Sequence, residues 1–228
     1  MRFLENERII ALFNARYACK KFDGTRAVSD SDFATILETG RLSPSSMGFE
    51  PWHFVVLKNE TARQKAIREG LKKSVWGGQH ALDAASHVVI ILARKRADML
   101  PESDYLQNIM AKVHKIPADG VALRTKYFAN FGENEWGMLK TDDAAFAWTA
   151  RQCYIALGNM LTAAAALGVD SCAIEGFHLQ NTTEFLEKEG VIDPAHFGLA
   201  VMAGFGYRGE PPKHEKTRTP LNEVAEFL

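Results

Sequence analysis

The pattern of apolar and polar residues predicts three helices in the first third of the chain. Ser29 and Asp32 have the spacing of a capping box, which places a helix N-terminus at Ser29. Thr61 and Gln64 repeat that spacing at the start of a third helix, which is predicted to be exposed. The first helix is predicted from apolar residues at helical spacing alone. The predicted helices cover Glu5 to Tyr17, Ser29 to Gly40, and Thr61 to about Leu71.

Four short apolar runs predict strands. The runs at His87–Ala93 and Leu199–Ala203 are apolar at every position except the first histidine, which predicts strands buried on both faces. The other two are His53–Leu57, also predicted to be buried, and the shorter Ser171–Ile174.

A long helix is predicted from about Asp143 to Leu167, and it carries no charge from Gln152 onward. Its length approaches that of a membrane span. However, Gln152, Asn159 and Thr162 interrupt it, and many of its apolar residues are alanine. This pattern favours a central helix of the core or of a subunit interface.

Two segments do not follow a regular period. Leu42 to Trp52 holds two prolines, one glycine and three serines, which exclude a helix and predict an ordered loop ahead of the strand at His53. Taken alone, this loop is either a plain turn or a cradle for a planar polar ligand. Met99 to Lys140 is the least regular region, rich in aromatic residues, and is interpreted as a lid or an arm that covers a partner.

Composition narrows the class of protein. The chain has 228 residues, 46% of them hydrophobic, and a net charge of -1, which gives no general attraction to nucleic acid or to anionic membranes. Its three cysteines lack metal-binding spacing, and its charged N-terminus lacks the apolar core of a signal peptide. With no linker or repeat, residues 1–228 are predicted to form one domain of a cytoplasmic protein that binds neither nucleic acid nor membrane.

Two cationic clusters and one glycine break are candidates for chemistry. Arg16 and Lys20 follow the first helix, and Lys216 and Arg218 lie near the C-terminus. Together they would suit a phosphate group, although for any one of these cations alone solvated surface charge is the favoured interpretation. Glu175-Gly176 follows a predicted strand, where a glycine permits a close approach to the backbone.

No catalytic side-chain motif is present. Ser45 and Ser46 are not in a GxSxG elbow, and the seven histidines show no HExxH spacing, so no metal site is predicted. Gly204 and Gly206 form only a GxG, without the helix that a dinucleotide fingerprint requires. Polar ligand loops without a catalytic set are typical of an enzyme whose cofactor performs the chemistry.

These blocks, in this order, resemble the FMN-dependent, oxygen-insensitive NAD(P)H nitroreductases, in the branch of the enterobacterial minor nitroreductase and dihydropteridine reductase. The resemblance covers nearly the whole chain and is weakest between Met99 and Lys140. Its blocks are Arg16 to Asp23, Ser43 to Ser46, Pro51 to Phe54, Leu82-Asp83, Ser86 to Val88, Gln152 to Gly168, Ala173 to Phe177, and Lys216 to Pro220.

The resemblance implies an α+β fold in which helices wrap a mainly antiparallel sheet, and an intertwined homodimer with FMN at the interface. It implies that Phe128 covers the substrate and that the Gly176 region directs a backbone N–H at flavin N5. Pro44, Ser45 and Ser46 would come from the partner subunit. The implied cofactor-binding residues are Arg16, Tyr17, Ala18, Lys20, Pro44, Ser45, Ser46, Gln79, Glu175, Gly176, Lys216 and Arg218.

The resemblance also implies ping-pong transfer of hydride from NADH or NADPH, through FMN, to nitroaromatics, quinones, enones or pteridines. Three positions depart from the family pattern, since Ala18 replaces a serine, Glu50 replaces a glutamine, and Gln79 stands where asparagine and lysine are usual. Loss of that lysine predicts a lower flavin potential. Two alternatives are a flavin enzyme of other chemistry, such as a dehalogenase, and a non-enzymatic flavin-binding redox sensor.

Overall fold

The computed structural model describes residues 4–228. Four strands form one antiparallel sheet in the order β1-β2-β4-β3, with helices on both faces, which confirms the predicted α+β fold. The strands are β1 (Trp52–Leu57), β2 (His87–Arg94), β3 (Asp170–Ile174) and β4 (Phe197–Gly206). The helices are α1 (Asn6–Ala15), α2 (Asp30–Arg41), α3 (Ala62–Leu71), α4 (Gln79–Ala84), α5 (Arg96–Met99), α6 (Asp104–Asn108), α7 (Ala118–Asn130), α8 (Asp142–Ala166), α9 (Leu179–Lys188) and α10 (Leu221–Val224).

The central strand β2 explains why its sequence is apolar at nearly every position. Val88 and Ile90 face a cluster that α3, α4 and α9 complete, whereas Val89 and Ile91 face a cluster completed by α2 and α8. Successive side chains of a strand point to opposite faces, so both faces of β2 are buried. The prediction for this strand is confirmed.

Helix α8 lies against the sheet and α2, as expected of a central helix. Cys153, Ala156 and Met160 are fully buried, while Tyr154 and Ile155 remain exposed. Among the helices in the described range, none is long and apolar enough to cross a membrane.

Two predictions of burial need correction. β1 is an edge strand on which His53 is exposed and Phe54 to Val56 are half-buried, because only β2 pairs with it. α3 is not exposed on all sides, since Ile67, Arg68 and Leu71 are buried. The Arg68 guanidinium donates to the carbonyls of Ala81, Leu82 and Ala85, and thereby fixes α4 and the residue that follows it.

The region from Met99 to Lys140 is mainly helical rather than irregular. It contains α6 and α7, each continued by a π-helical turn, at Ile109–Val113 and Phe131–Glu135. The two helices enclose a separate hydrophobic cluster to which Phe49 and Trp148 contribute from outside the region. These two distant side chains and the irregular turns obscure the helical period in the sequence.

Candidate functional site

The two cationic segments meet at the end of α1. The Lys216 ammonium group donates hydrogen bonds to the backbone carbonyls of Phe13 and Arg16. Lys216 and Arg16 are 200 positions apart, so this contact joins the two ends of the chain.

The cations at this junction have no carboxylate partner among the described residues. Partial burial lowers the pKa of Lys216, and the nearby charges of Arg16 and Arg218 lower it further. Within residues 4–228, neither these three cations nor Lys20 forms an ion pair with a carboxylate. Cations held together without carboxylates are suited to bind an anion such as a phosphate group.

The segment after α1 runs beside β3. Ala18 forms a parallel bridge with Ser171, and the Cys19 N–H donates to the Ser171 carbonyl at 3.0 Å. Cys19 is buried and Lys20 is exposed, with its Nζ 3.6 Å from Cys172 Sγ. The cationic cluster therefore lies along the outer edge of β3.

The Tyr17 side chain contacts both the segment after α1 and the residues that follow β4. Its hydroxyl lies 3.6 Å from Cys19 Sγ and 3.4 Å from the Glu210 carbonyl, and burial raises the pKa of Tyr17. The guanidinium of Arg208, paired with Asp170, lies 4.5 Å from the centre of the Tyr17 ring. Direct contact of Tyr17 with a cofactor stays a prediction.

At the opposite end of β3, the residues that follow the strand cross the loop that precedes α4. The two backbones meet at Gly176 and Gly77. The Gly77 N–H donates to the Gly176 carbonyl at 2.7 Å, and a Cβ on Gly176 would lie 2.7 Å from the Gly77 Cα. No larger residue fits this crossing unless the backbone moves. In the described chain the Gly176 N–H has no acceptor, so it is free to donate to a ligand.

Gln79 and Glu175 flank this crossing. The Gln79 amide nitrogen donates to the carbonyls of Lys72 and Val75, so it holds the loop and leaves the amide oxygen for another contact. The Tyr154 hydroxyl, from α8, donates to the Glu175 carboxylate.

The loop at Ser43 to Glu50 adopts an unusual backbone conformation. Met47, Gly48 and Glu50 have φ of 55°, 68° and 47°. This left-handed region costs a non-glycine residue about 1–2 kcal/mol, so the surroundings must impose it on Met47 and Glu50. The Ser45 hydroxyl accepts a hydrogen bond from the Glu50 N–H at 2.9 Å and closes the loop.

Polar residues of α8 hold this loop. Gln152 Oε1 accepts from the Ser46 N–H at 2.8 Å, and Asn159 Nδ2 donates to the Ser43 hydroxyl at 2.8 Å. These are two of the residues that interrupt the apolar pattern of α8 in the sequence, which was the available signal for their role.

Gln152 and Tyr154 point from α8 in opposite directions, because two residues along a helix are about 200° apart. Gln152 contacts the loop at Ser46, and Tyr154 contacts Glu175. The chain therefore presents its loop and its Glu175-Gly176 crossing on different sides of α8. Pro44, at the start of the loop, is exposed.

Phe128 lies in the hydrophobic cluster of α6 and α7. It is fully buried, and its ring packs edge-to-face against Phe49 at 4.9 Å between centroids. A substrate-covering role for Phe128 stays a prediction.

Comparison with known proteins identifies the family. The model of the nitroreductase family matches residues 14–207. The chain belongs to the nitroreductase family. A Staphylococcus epidermidis protein named “Putative NAD(P)H nitroreductase” is 46% identical over 223 residues, covering 98% of each chain. The nitroreductase homologue YfkO of Bacillus subtilis is 43% identical over 221 residues, covering 97% of each chain.

Solved structures share the nitroreductase fold at lower identity. A nitroreductase-like protein from Streptococcus mutans superimposes with a TM-score of 0.79 at 19% identity, covering 98% of this chain and 100% of that one. A homologue from Exiguobacterium sibiricum, solved in complex with FMN, has a TM-score of 0.72 at 18% identity, covering 100% and 99%. The branch within the nitroreductases stays a prediction. Among residues 4–228, no group of histidine, cysteine or acidic residues is arranged to hold a metal ion.

Proposed function

We propose that this nitroreductase family member is an FMN-dependent NAD(P)H oxidoreductase that reduces nitroaromatics, quinones or related electron-poor acceptors. The observation that carries the proposal is the arrangement along β3. Unpaired cations lie beside one end, and a free Gly176 N–H lies at the other, where only glycines fit. FMN has a phosphate at one end and a flat ring at the other, which matches this order.

Each part of the site would have a defined task. Arg16, Lys20, Lys216 and Arg218 would bind the phosphate through charge-assisted hydrogen bonds. The Gly77–Gly176 crossing would let the flavin ring lie against the backbone, and the Gly176 N–H would donate to the ring edge. When bound, FMN supplies two-electron hydride chemistry between NAD(P)H and the acceptor. The names of the relatives, and the FMN in the Exiguobacterium sibiricum complex, support this assignment.

The proposal includes a homodimer in which each flavin site takes its loop from the partner. Exposed apolar residues on neighbouring helices support a second copy as the occupant of this surface: Ile9, Ile10 and Phe13 on α1, and Tyr154 and Ile155 on α8. A dimer would cover them, and the loop at Pro44 to Ser46 of one chain would then line the flavin of the other. The placement of the loop and Glu175 on different sides of α8 is consistent with this arrangement.

Anaerobic spectroscopy of the purified protein tests the function. We expect flavin absorbance bands after reconstitution with FMN, rapid bleaching by NADH or NADPH, and return of colour when a nitroaromatic or a quinone is added. Bands that neither nucleotide bleaches would favour the flavin-binding sensor. A protein that cannot be reconstituted with FMN would contradict the proposal.

A further inference from the structure

Side chains from the region Met99 to Lys140 form hydrogen bonds with four consecutive backbone carbonyl groups of the Ser43 to Glu50 loop. Arg124 Nη2 donates to the Met47 carbonyl at 2.5 Å, and His114 Nε2 bonds to the Gly48 carbonyl at 2.9 Å. The Tyr105 hydroxyl lies 2.7 Å from the Phe49 carbonyl and 2.8 Å from the Glu50 carbonyl. We call Tyr105, His114 and Arg124 the carbonyl clamp.

The clamp residues make contacts beyond these hydrogen bonds. The Arg94 guanidinium lies 3.6 Å from the centre of the Tyr105 ring, which holds that ring from outside the loop. The Arg124 guanidinium lies 5.7 Å from the centre of the Phe49 ring, and a Cβ on Gly48 would lie 3.2 Å from His114 Nε2. Arg124 and His114 therefore lie directly against the loop.

The clamp also explains the left-handed backbone. Met47 and Glu50 do not favour positive φ on their own, yet both adopt it between Ser45 and Pro51. Donors aimed at the carbonyls of both residues stabilise this conformation over an extended one. The N–H groups of Ser46 and Glu50 bond to Gln152 and to the Ser45 hydroxyl, whereas the clamp bonds to the carbonyls of Met47 to Glu50. The Glu50 carbonyl also accepts from the Trp52 N–H at 2.7 Å.

We propose that Tyr105, His114 and Arg124 are positioning residues that hold the Ser45–Ser46 loop in the shape that receives FMN. This inference rests on the proposed function, which makes the loop a wall of the flavin site. The region at Met99 to Lys140 thereby gains a role in cofactor binding, because α6 and α7 must stay in a fixed position relative to the loop for the clamp to hold it.

Paired substitutions test the clamp. Tyr105→Phe removes only the hydroxyl and keeps the ring under Arg94, while Arg124→Met removes the guanidinium and keeps much of the side-chain volume. Tyr127→Phe is the matched control, since that tyrosine is exposed on α7 and its hydroxyl makes no hydrogen bond with the described residues. Arg96→Met is the second control, because Arg96 donates to the Leu139 carbonyl, away from the loop, at 2.6 Å.

Two measurements are needed for each variant. Hydrogen exchange of the amides at Ser46 to Glu50, measured without FMN, reports how often the loop opens. Quenching of FMN fluorescence reports the affinity for FMN. We expect faster loop exchange and about tenfold weaker FMN binding in both clamp variants, because binding falls with the fraction of competent loop. Arg124→Lys should restore part of the affinity, and both controls should match the wild type in loop exchange and in FMN affinity.

Unchanged loop exchange in both clamp variants would overturn the inference. Faster exchange with unchanged FMN affinity would also overturn it, since the clamp would then shape the loop without serving the flavin. Failure of the proposed function would be seen separately, as a wild-type protein that binds no FMN.

Discussion

At the scale of single residues, Lys216 and Arg218 differ in their contacts with the rest of the protein. Lys216 joins the C-terminal segment to α1 through two carbonyls, whereas the hydrogen bond of Arg218 goes to its neighbour Thr217. We expect Lys216→Ala and Arg218→Ala each to weaken FMN binding by about 10- to 100-fold, because each removes a charged partner of the phosphate. Fluorescence titration of FMN at two salt concentrations measures this.

Lys213→Ala is the control for this prediction, since Lys213 lies in the same segment, is exposed and has no ion pair within the described chain. It should retain wild-type affinity. Equal flavin content in wild type, Lys216→Ala and Arg218→Ala would contradict the phosphate assignment.

His87 predicts a dependence of stability on pH that is independent of the cofactor. Burial, and to a lesser extent Lys58, lowers the pKa of His87 to about 4, and its ring stacks on Phe33 at 3.7 Å. His87 takes up a proton near pH 6.5 in the unfolded chain, whereas in the folded chain it stays neutral until the pH falls to about 4. The contribution of this group is therefore fully present above pH 6.5 and is lost as the pH falls toward 4, by up to about 3 kcal/mol.

Urea unfolding of wild type and His87→Leu between pH 7 and 4.5 measures this contribution. Carboxylates affect both proteins alike, so the difference between the two curves isolates His87. We expect the free energy of unfolding of the variant to fall less steeply below pH 6.5. Parallel curves over that range would show that His87 is not a buried neutral group.

At the scale of elements, α8 connects both halves of the candidate site. Gln152 is buried and accepts from the Ser46 N–H, so Gln152→Leu leaves a backbone donor without a partner. We expect a loss of about 1–3 kcal/mol in the free energy of unfolding, together with weaker FMN binding. Chemical denaturation of the FMN-free protein separates the first effect from the second.

Gln180→Leu on α9 is the control, because Gln180 is exposed and its side chain hydrogen-bonds, among the described residues, only to Glu184 on its own helix. It should change the free energy of unfolding by less than about 0.5 kcal/mol. If Gln152→Leu proves equally neutral, the hydrogen bond to Ser46 does not fix the loop.

The elements that sequence predicts well are those with local signals. Thr61 and Gln64 form the capping box that their spacing indicates, and Ser29 accepts from the Asp32 N–H at the start of α2. α6 and α7 escaped prediction because their core depends on distant residues, including Phe49. The same reason explains why the packing of Phe128 against Phe49 could not be read from the sequence around Phe128.

At the scale of the whole molecule, sequence could indicate the types of site residue but not their contacts. The cationic segments were visible as residues, whereas the contact between Lys216 and Arg16 depends on the complete fold. The residues around Gly77 do not indicate that a glycine is required at that position. The requirement comes from the Gly176 backbone, which crosses this position in the fold. The clamp was likewise hidden, because hydrogen bonds to backbone carbonyls place no demand on the sequence of the loop.

The proposed dimer predicts that two defective subunits can form one working site. In Lys216→Ala/Arg218→Ala subunits the cationic half is lost and the loop is intact. In Pro44→Trp subunits the loop would block a flavin of the partner, and because Pro44 is exposed the subunit itself should tolerate the indole. A mixed dimer then holds one site with both halves intact and one with both halves altered.

Random pairing makes about half of the dimers mixed, so mixing should restore about a quarter of the wild-type FMN sites from two proteins that bind little FMN alone. Different affinity tags on the two variants allow the mixed dimers to be isolated, and each should bind about one FMN. Isolated mixed dimers that bind no FMN would show that the loop serves its own chain. A site shared between chains would suit α8, because Gln152 at the loop and Tyr154 at Glu175 point from this helix in opposite directions.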